Sequence, residues 1–366
     1  MDAAALRASF PVFGSGVAYL NAGTCGPVPE ASVEAAVRAL RWCAEEGRSG
    51  AFYERLFAAL GELRARYAAL LGAAVEDVAI TAGTSDGVGR VVAGLELGPG
   101  DEIVTADDEH PGLQGPLAAA RTQRGVELRA VPLDRVPDAV GPRTRLVACS
   151  HVSWRSGRLA PLGGLAEVAR LGVPVLLDGA QGVGAVPADV RELGVQFYAG
   201  SGQKWLCGPV GVGMLWVDPA WRDRVAVPAP HYASLADPNL GLESGPAPDA
   251  RRFDAPSIDL ATVEGAVASF DVLASFGWDE VFARGARLAA RLAQMLAERG
   301  FGVVERDRTT LVAWSVGDDA RAVELRDRLG AQGVVIRDLP GTGRLRASVG
   351  AWNDEGDLER LIEALG

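Results

Sequence analysis

Val173-Pro174-Val175-Leu176-Leu177-Asp178-Gly179-Ala180-Gln181 is an apolar run that ends in an acid, a small turn and an amide. Apolar residues in series, without alternation, predict a strand covered on both faces, as in a parallel sheet. Open sheets of that kind bind ligands beyond the carboxyl ends of their strands, so Asp178 stands where a ligand would meet it. A second apolar strand, Val195 to Ala199, leads into Ser201-Gly202-Gln203-Lys204-Trp205-Leu206-Cys207-Gly208-Pro209-Val210-Gly211-Val212-Gly213 and delivers Lys204 to the same edge. An Asp after a strand is most often a turn or cap residue, so Asp178 alone decides nothing about chemistry.

Lys204 changes the weighing. It is the only lysine in 366 residues, against thirty-five arginines. Arginine stays protonated, whereas an ε-amine can lose its proton and attack a carbonyl to form a Schiff base. A carboxylate and an amine that converge on one crevice match what pyridoxal phosphate needs, an acid on its ring nitrogen and a lysine at its aldehyde.

Outward from this pair, strands alternate with helices from about residue 60 to 220, the pattern of a doubly wound, mostly parallel α/β sheet. A helix over Phe52 to Leu71 precedes a strand at Val78 to Thr81 and the turn Ala82-Gly83-Thr84-Ser85-Asp86-Gly87. Strands follow at 102–105, 127–131 and 145–149, with a helix over 113–124. The tract from Pro228 to Pro256 is rich in Pro, Gly and Asp and reads as a long loop. Beyond it the pattern predicts one long helix over 260–299, short strands at 302–305, 311–315, 334–336 and 344–348, and a terminal helix over 355–365. The expected division is an N-terminal segment (1–20) packing with a small domain, a large cofactor-binding α/β domain (21–255) and a small α+β domain (256–366) opened by the long linking helix.

Gly83-Thr84-Ser85 lies between a strand and a helix, so its backbone N–H groups and hydroxyls can cap that helix or hold an anion there.

The strand-ending Asp178-Gly179-Ala180-Gln181, then Ser201-Gly202-Gln203-Lys204-Trp205 and Gly208-Pro209-Val210-Gly211-Val212-Gly213, resemble the class V aminotransferase family of fold-type I pyridoxal phosphate enzymes. That family includes cysteine desulfurases, cysteine/cystine C–S lyases and isopenicillin N epimerase. The resemblance runs from Tyr19-Leu20-Asn21-Ala22-Gly23 to Arg346-Ala347-Ser348-Val349-Gly350-Ala351-Trp352-Asn353. It is nearest to the C–S lyase branch in Glu109-His110-Pro111-Gly112, Gly141-Pro142-Arg143-Thr144-Arg145-Leu146 and Ser150-His151-Val152-Ser153-Trp154.

The resemblance implies roles residue by residue. Lys204 would carry the cofactor and move protons at the substrate, Asp178 would hold the ring nitrogen, and His110 would stack on the ring. Gly83, Thr84, Ser85, Ser201 and Gln203 would hold the phosphate, with Ser257 reaching in from a second subunit of a homodimer. Gln203 departs from the histidine usual there, which leaves a neutral donor. Gln181 would contact the phenolic oxygen, and Trp154 stands where desulfurases carry asparagine. Arg346, in an Arg-x-Ser motif, would bind the α-carboxylate with Arg337 and Asn21 beside it, a pairing suited to a planar guanidinium.

An absence carries as much information. Desulfurases place a nucleophilic cysteine before the carboxylate-binding arginine, but Asp338-Leu339-Pro340-Gly341-Thr342-Gly343-Arg344-Leu345 has no thiol. That disfavours a protein persulfide and favours β-elimination from a cysteine- or cystine-like substrate through an external aldimine. Transamination and epimerisation stay open, as does a non-catalytic protein on the same fold.

A net charge of −11 and a pI near 4.9 argue against nucleic acid and anionic membranes as partners. Met1 to Phe10 carries two charges and no apolar core, which predicts no secretory signal. Cys25, Cys43, Cys149 and Cys207 are widely spaced, as are the three histidines, so the expectation is free thiols in a cytoplasmic enzyme without a metal site.

Overall fold

The computed structural model describes residues 1–366. Seven strands form the main sheet: β1 (Val78–Thr81), β2 (Glu102–Ala106), β3 (Glu127–Val131), β4 (Thr144–Ser150), β5 (Val175–Asp178), β6 (Phe197–Ser201) and β7 (Gly213–Val217). Their order in space is β1-β7-β6-β5-β4-β2-β3. Only β7 runs antiparallel to its neighbours, so the carboxyl ends of the other six open on one edge. This is the mostly parallel α/β architecture that the apolar runs predict.

Successive residues of a strand face opposite sides of the sheet, and both sides here are covered. Leu177, Val147 and Ile80 pack under Leu63 and Tyr67 of the helix Gly50–Leu71. Leu176, Leu146, Ile103 and Leu215 pack against Val88 and Val91 of the helix Thr84–Gly94 and Leu113 and Leu117 of the helix Pro111–Arg124. Each fully buried Leu of this kind contributes about 1.5–3 kcal/mol. That two-sided burial fixes the strand ends, and with them the groups the strands carry. β5 ends on Asp178 itself, in register with Ser150 of β4 and Ala199 of β6. β6 continues past the expected Ala199 to Ser201.

A second sheet of three antiparallel strands, β8 (Leu311–Ser315), β9 (Arg337–Leu339) and β10 (Arg344–Ser348), has the order β9-β10-β8. Ala18–Tyr19 pairs in parallel with Val334–Val335, which ties the N-terminal segment to this part of the chain. No single helix is long and apolar enough to cross a membrane.

Three expectations are corrected. The long helix over 260–299 is two helices, Leu260–Phe276 and Trp278–Glu298, bent by 80°. Gly277 at φ 95° breaks it, a conformation that side-chain-bearing residues rarely adopt. The strand at 302–305 reduces to one isolated bridge, Val303 to Trp314. Conversely, 337–339 forms a strand where a loop was expected, because Arg337, Asp338 and Leu339 pair with Arg346, Leu345 and Arg344. The tract 228–256 is a long connection with short 3-10 turns at Tyr232–Ser234, Pro238–Glu243 and Ala250–Phe253.

Candidate active site

β5 and β6 present Asp178 and the Ser201–Lys204 turn side by side at the open sheet edge. Asp178 is buried; its Oδ1 accepts the Ala180 N–H at 2.9 Å, and Oδ2 has no hydrogen bond within the chain. Burial raises its pKa, with Lys204 opposing that shift. Lys204 is half-buried and forms no ion pair. Its pKa is lowered to about 8, chiefly by burial, with Asp178 acting against the shift and Arg346 adding to it. A lysine near 8 keeps a usable neutral fraction around neutrality, which a base at Cα requires.

The helix Thr84–Gly94 begins beside this turn. Ser201 Oγ accepts the Thr84 N–H at 3.0 Å and lies 2.7 Å from Thr84 Oγ1. Gly83, at φ 148°, caps the helix without a side chain, and a Cβ there would lie 3.5 Å from Ser201 Oγ. Ser201 takes the Thr84 N–H, and no side chain of the cap residue covers the N–H groups that follow in the helix's first turn, a setting that favours an anion. Ser85 is exposed on the same turn, and Gln203 has its Oε1 buried without a partner.

His110 follows β2 and caps the helix Pro111–Arg124. Its Nδ1 accepts the Gly112 N–H at 3.0 Å, which leaves the proton of the neutral ring on Nε2. Burial lowers its pKa to about 4, and the charges of Lys204, Arg337 and Arg346 act in the same direction. The ring meets Trp154 edge to face, with centroids 5.0 Å apart and an interplanar angle of 88°.

β10 and β9 from the second sheet bring the cations. Arg346 is fully buried; its Nη1 donates to the Trp154 carbonyl at 2.8 Å, while Nε and Nη2 have no partner. Burial first, then Arg337, lowers its pKa to about 9. The Arg337 guanidinium lies 5.7 Å from the Trp154 ring centroid and donates to Thr24 Oγ1 at 3.5 Å, which in turn donates to Asn21 Oδ1 at 2.8 Å. Asn21 bridges to Ser348, whose Oγ is buried and unpartnered.

Gln181 is internally engaged. Its Nε2 donates to the Gly23 carbonyl at 2.7 Å and its Oε1 accepts Trp205 Nε1 at 3.0 Å, so one amide N–H remains for any ligand. Ser257 stands apart from the others in a single chain. It is exposed and lines a cavity of about 1260 Å³ with Tyr53, Phe57 and Tyr232, which none of the other expected site residues reaches.

Two residues escaped the sequence reading. Cys25, in the loop after Asn21, adjoins Gly26, whose N–H donates to the Gln203 carbonyl at 2.8 Å, so a thiol lies near this edge after all. No spacing signal joins positions so far apart. Glu109 is buried beside His110, and the sequence shows it only as part of a resembling segment.

Residues 18–361 match the family model described as aminotransferase class V. The chain is 32% identical to a probable cysteine desulfurase of Pseudomonas aeruginosa PAO1, covering 98% of this chain and 96% of that protein. It is 30% identical to isopenicillin N epimerase of Streptomyces clavuligerus, covering 95% and 94%. Two solved structures of C-DES are similar in fold at 26% identity. One, a variant with glycine covalently linked to the PLP cofactor, has a TM-score of 0.93 and covers 98% of both chains. The other, the cystine C–S lyase with its reaction product cysteine persulfide, has a TM-score of 0.92 and covers 97% of this chain and 98% of that one.

Proposed function

The chain belongs to the class V aminotransferase family of pyridoxal phosphate enzymes, and from that premise we propose that it is a C–S lyase acting on a cysteine- or cystine-like amino acid. The residues present fit the cofactor. Asp178 is a buried residue whose Oδ2 makes no hydrogen bond within the chain, Lys204 is a free amine, and the Gly83–Ser85 turn with Ser201 and Gln203 offers neutral donors at a helix N-terminus. When bound, pyridoxal phosphate supplies an aldehyde for the substrate amine and a ring that withdraws electrons from Cα.

The chain's own groups divide the remaining work. Asp178 holds a proton at the ring nitrogen, and its raised pKa is countered by that cation once it is in place. Lys204 takes the proton from the substrate Cα and returns it. His110, fixed through Nδ1, would pack against the cofactor ring, with its Nε2–H left free to donate. Arg346 receives the α-carboxylate on Nε and Nη2, aimed by the Trp154 carbonyl, with Arg337 and Asn21 alongside. Ser257 of a second copy completes the phosphate cradle in a homodimer. Four unpaired cysteines support a reducing compartment.

The observation that carries lyase over desulfurase is the hairpin from β9 to β10. It has no thiol, and Asp319 clamps its tip by accepting the N–H groups of Gly341, Thr342 and Gly343 at 2.7, 3.0 and 2.7 Å. Such a turn has no slack with which to swing a nucleophile. A desulfurase reading draws instead on Cys25, whose neighbour Gly26 donates its N–H to the Gln203 carbonyl at 2.8 Å.

The purified holoenzyme given cystine or cysteine should release pyruvate, ammonia and either sulfide or a small persulfide. Alanine as the main product, with a persulfide mapped to Cys25, would replace this reading with the desulfurase one. Keto acid formed only with an amino acceptor would make it an aminotransferase, and loss of chirality without cleavage an epimerase.

A further inference from the structure

Glu109 is a buried carboxyl that the proposed chemistry does not use. It is 2% exposed and forms no ion pair. Its hydrogen bonds go to one residue: Oε1 accepts the Ser150 N–H at 2.7 Å, and Oε2 is hydrogen-bonded to Ser150 Oγ. An ionised carboxylate without a cation is costly at that depth. Burial accordingly pushes its pKa up to about 8, against the two bonds from Ser150 and with the charges of Asp178 and Asp108. The neutral acid suits Ser150 well, since its carbonyl oxygen accepts the N–H while its hydroxyl donates to Oγ.

Ser150 ends β4 in register with Asp178, and the next N–H, of His151, donates to the Asp178 carbonyl at 2.8 Å. The residue before Glu109 extends the same stitch. Asp108 Oδ2 accepts Ser153 Oγ at 2.7 Å, and the Asp108 carbonyl accepts Trp154 Nε1 at 2.8 Å. The loop carrying His110 is thereby sewn to the loop carrying Trp154 and to the strand end beside Asp178.

We propose that Glu109 is a positioning residue, whose two-point clip to Ser150 holds the His110 imidazole and Asp178 in one frame. It touches neither substrate nor cofactor. The inference rests on the assignment of His110 to the cofactor face, so its test reads His110 itself, apart from turnover.

The chain has three histidines, His110, His151 and His231, so the His110 imidazole C2 proton can be followed by NMR in protein stripped of pyridoxal phosphate. Its titration is set by burial first and then by the charges of Lys204, Arg337 and Arg346; Asp108 and Glu109 stand in its own loop, and the Trp154 ring lies against it. In the wild type it should stay uncharged down to about 4. Glu109→Gln keeps both contacts, the amide donating to Oγ, and should leave that titration in place with kcat within about threefold. Glu109→Ala should move the titration up by about one unit or more and lower kcat about thirtyfold with little change in KM.

Should the alanine variant fail to fold, Ser150→Ala removes one of the two contacts and carries the same readout. An unshifted His110 and unchanged kcat in whichever variant folds would overturn the proposal. So would a glutamine variant as impaired as the alanine one, because a charge rather than a clip would then be required. A shifted His110 in a protein that yields no pyruvate leaves the clip standing and removes only the lyase reading.

Discussion

Arg346 donates Nη1 to the Trp154 carbonyl at 2.8 Å and holds Nε and Nη2 in the interior with no partner. A guanidinium so aimed, with its fork unfilled, is prepared for a carboxylate. Arg346→Lys keeps a charge but loses the fork. With each charged hydrogen bond worth about 1.5–3 kcal/mol, KM for the amino acid should rise at least about tenfold. Steady-state kinetics that show KM within twofold of wild type would remove Arg346 from the substrate.

Gly213 opens β7 beside Gly83, in the proposed phosphate cradle. A Cβ there would lie 2.4 Å from the Gly200 carbonyl oxygen and 2.7 Å from Gly83 Cα, both backbone atoms that cannot step aside. Gly213→Ala should push Gly83 and Ser201 apart, cost about 1–3 kcal/mol of stability and weaken cofactor binding more than substrate binding. Chemical denaturation and cofactor titration measure the two effects; an unchanged affinity for pyridoxal phosphate would place the cradle elsewhere.

His151 lies behind the site, 1% exposed, with Nδ1 3.0 Å from Tyr198 Oη. Burial lowers its pKa from 6.5 to about 4. Below the ordinary value the unfolded chain takes up a proton that the folded chain refuses, so stability falls as pH drops from about 6.5 to 4, by roughly 3 kcal/mol from this group. Urea melts across that range should show the wild type losing more stability than His151→Gln. Equal slopes would mean that His151 is protonated in the fold.

The convergence of Asp178, Lys204, Thr84 and Ser201 was legible because each ends or follows an apolar strand, and strands of one parallel sheet share an edge. Arg346 was legible through its motif, although its aim depends on a carbonyl contributed by Trp154, distant in the chain. Helical periodicity ran through Gly277, since one glycine leaves the apolar pattern intact and shows its break only in φ. β9 was hidden because Arg337 and Asp338 are polar and their pairing is supplied by β10. Cys25 meets the Lys204 turn through its neighbour Gly26, and Glu109 meets Ser150, and no local pattern encodes either contact. Ser257 lies apart from the other candidate residues of its own chain, so the role that the resemblance implies for it would depend on a second copy.

The central claim is that Lys204 is the amine on which this enzyme works, and it is the only lysine present. Borohydride reduction of the holoenzyme, followed by digestion and mass spectrometry, should place the cofactor's mass on the peptide containing Lys204 and on no other internal residue. Lys204→Arg should yield no labelled internal peptide and no turnover. Cofactor fixed at another internal side chain, or turnover retained by Lys204→Arg, would contradict the account.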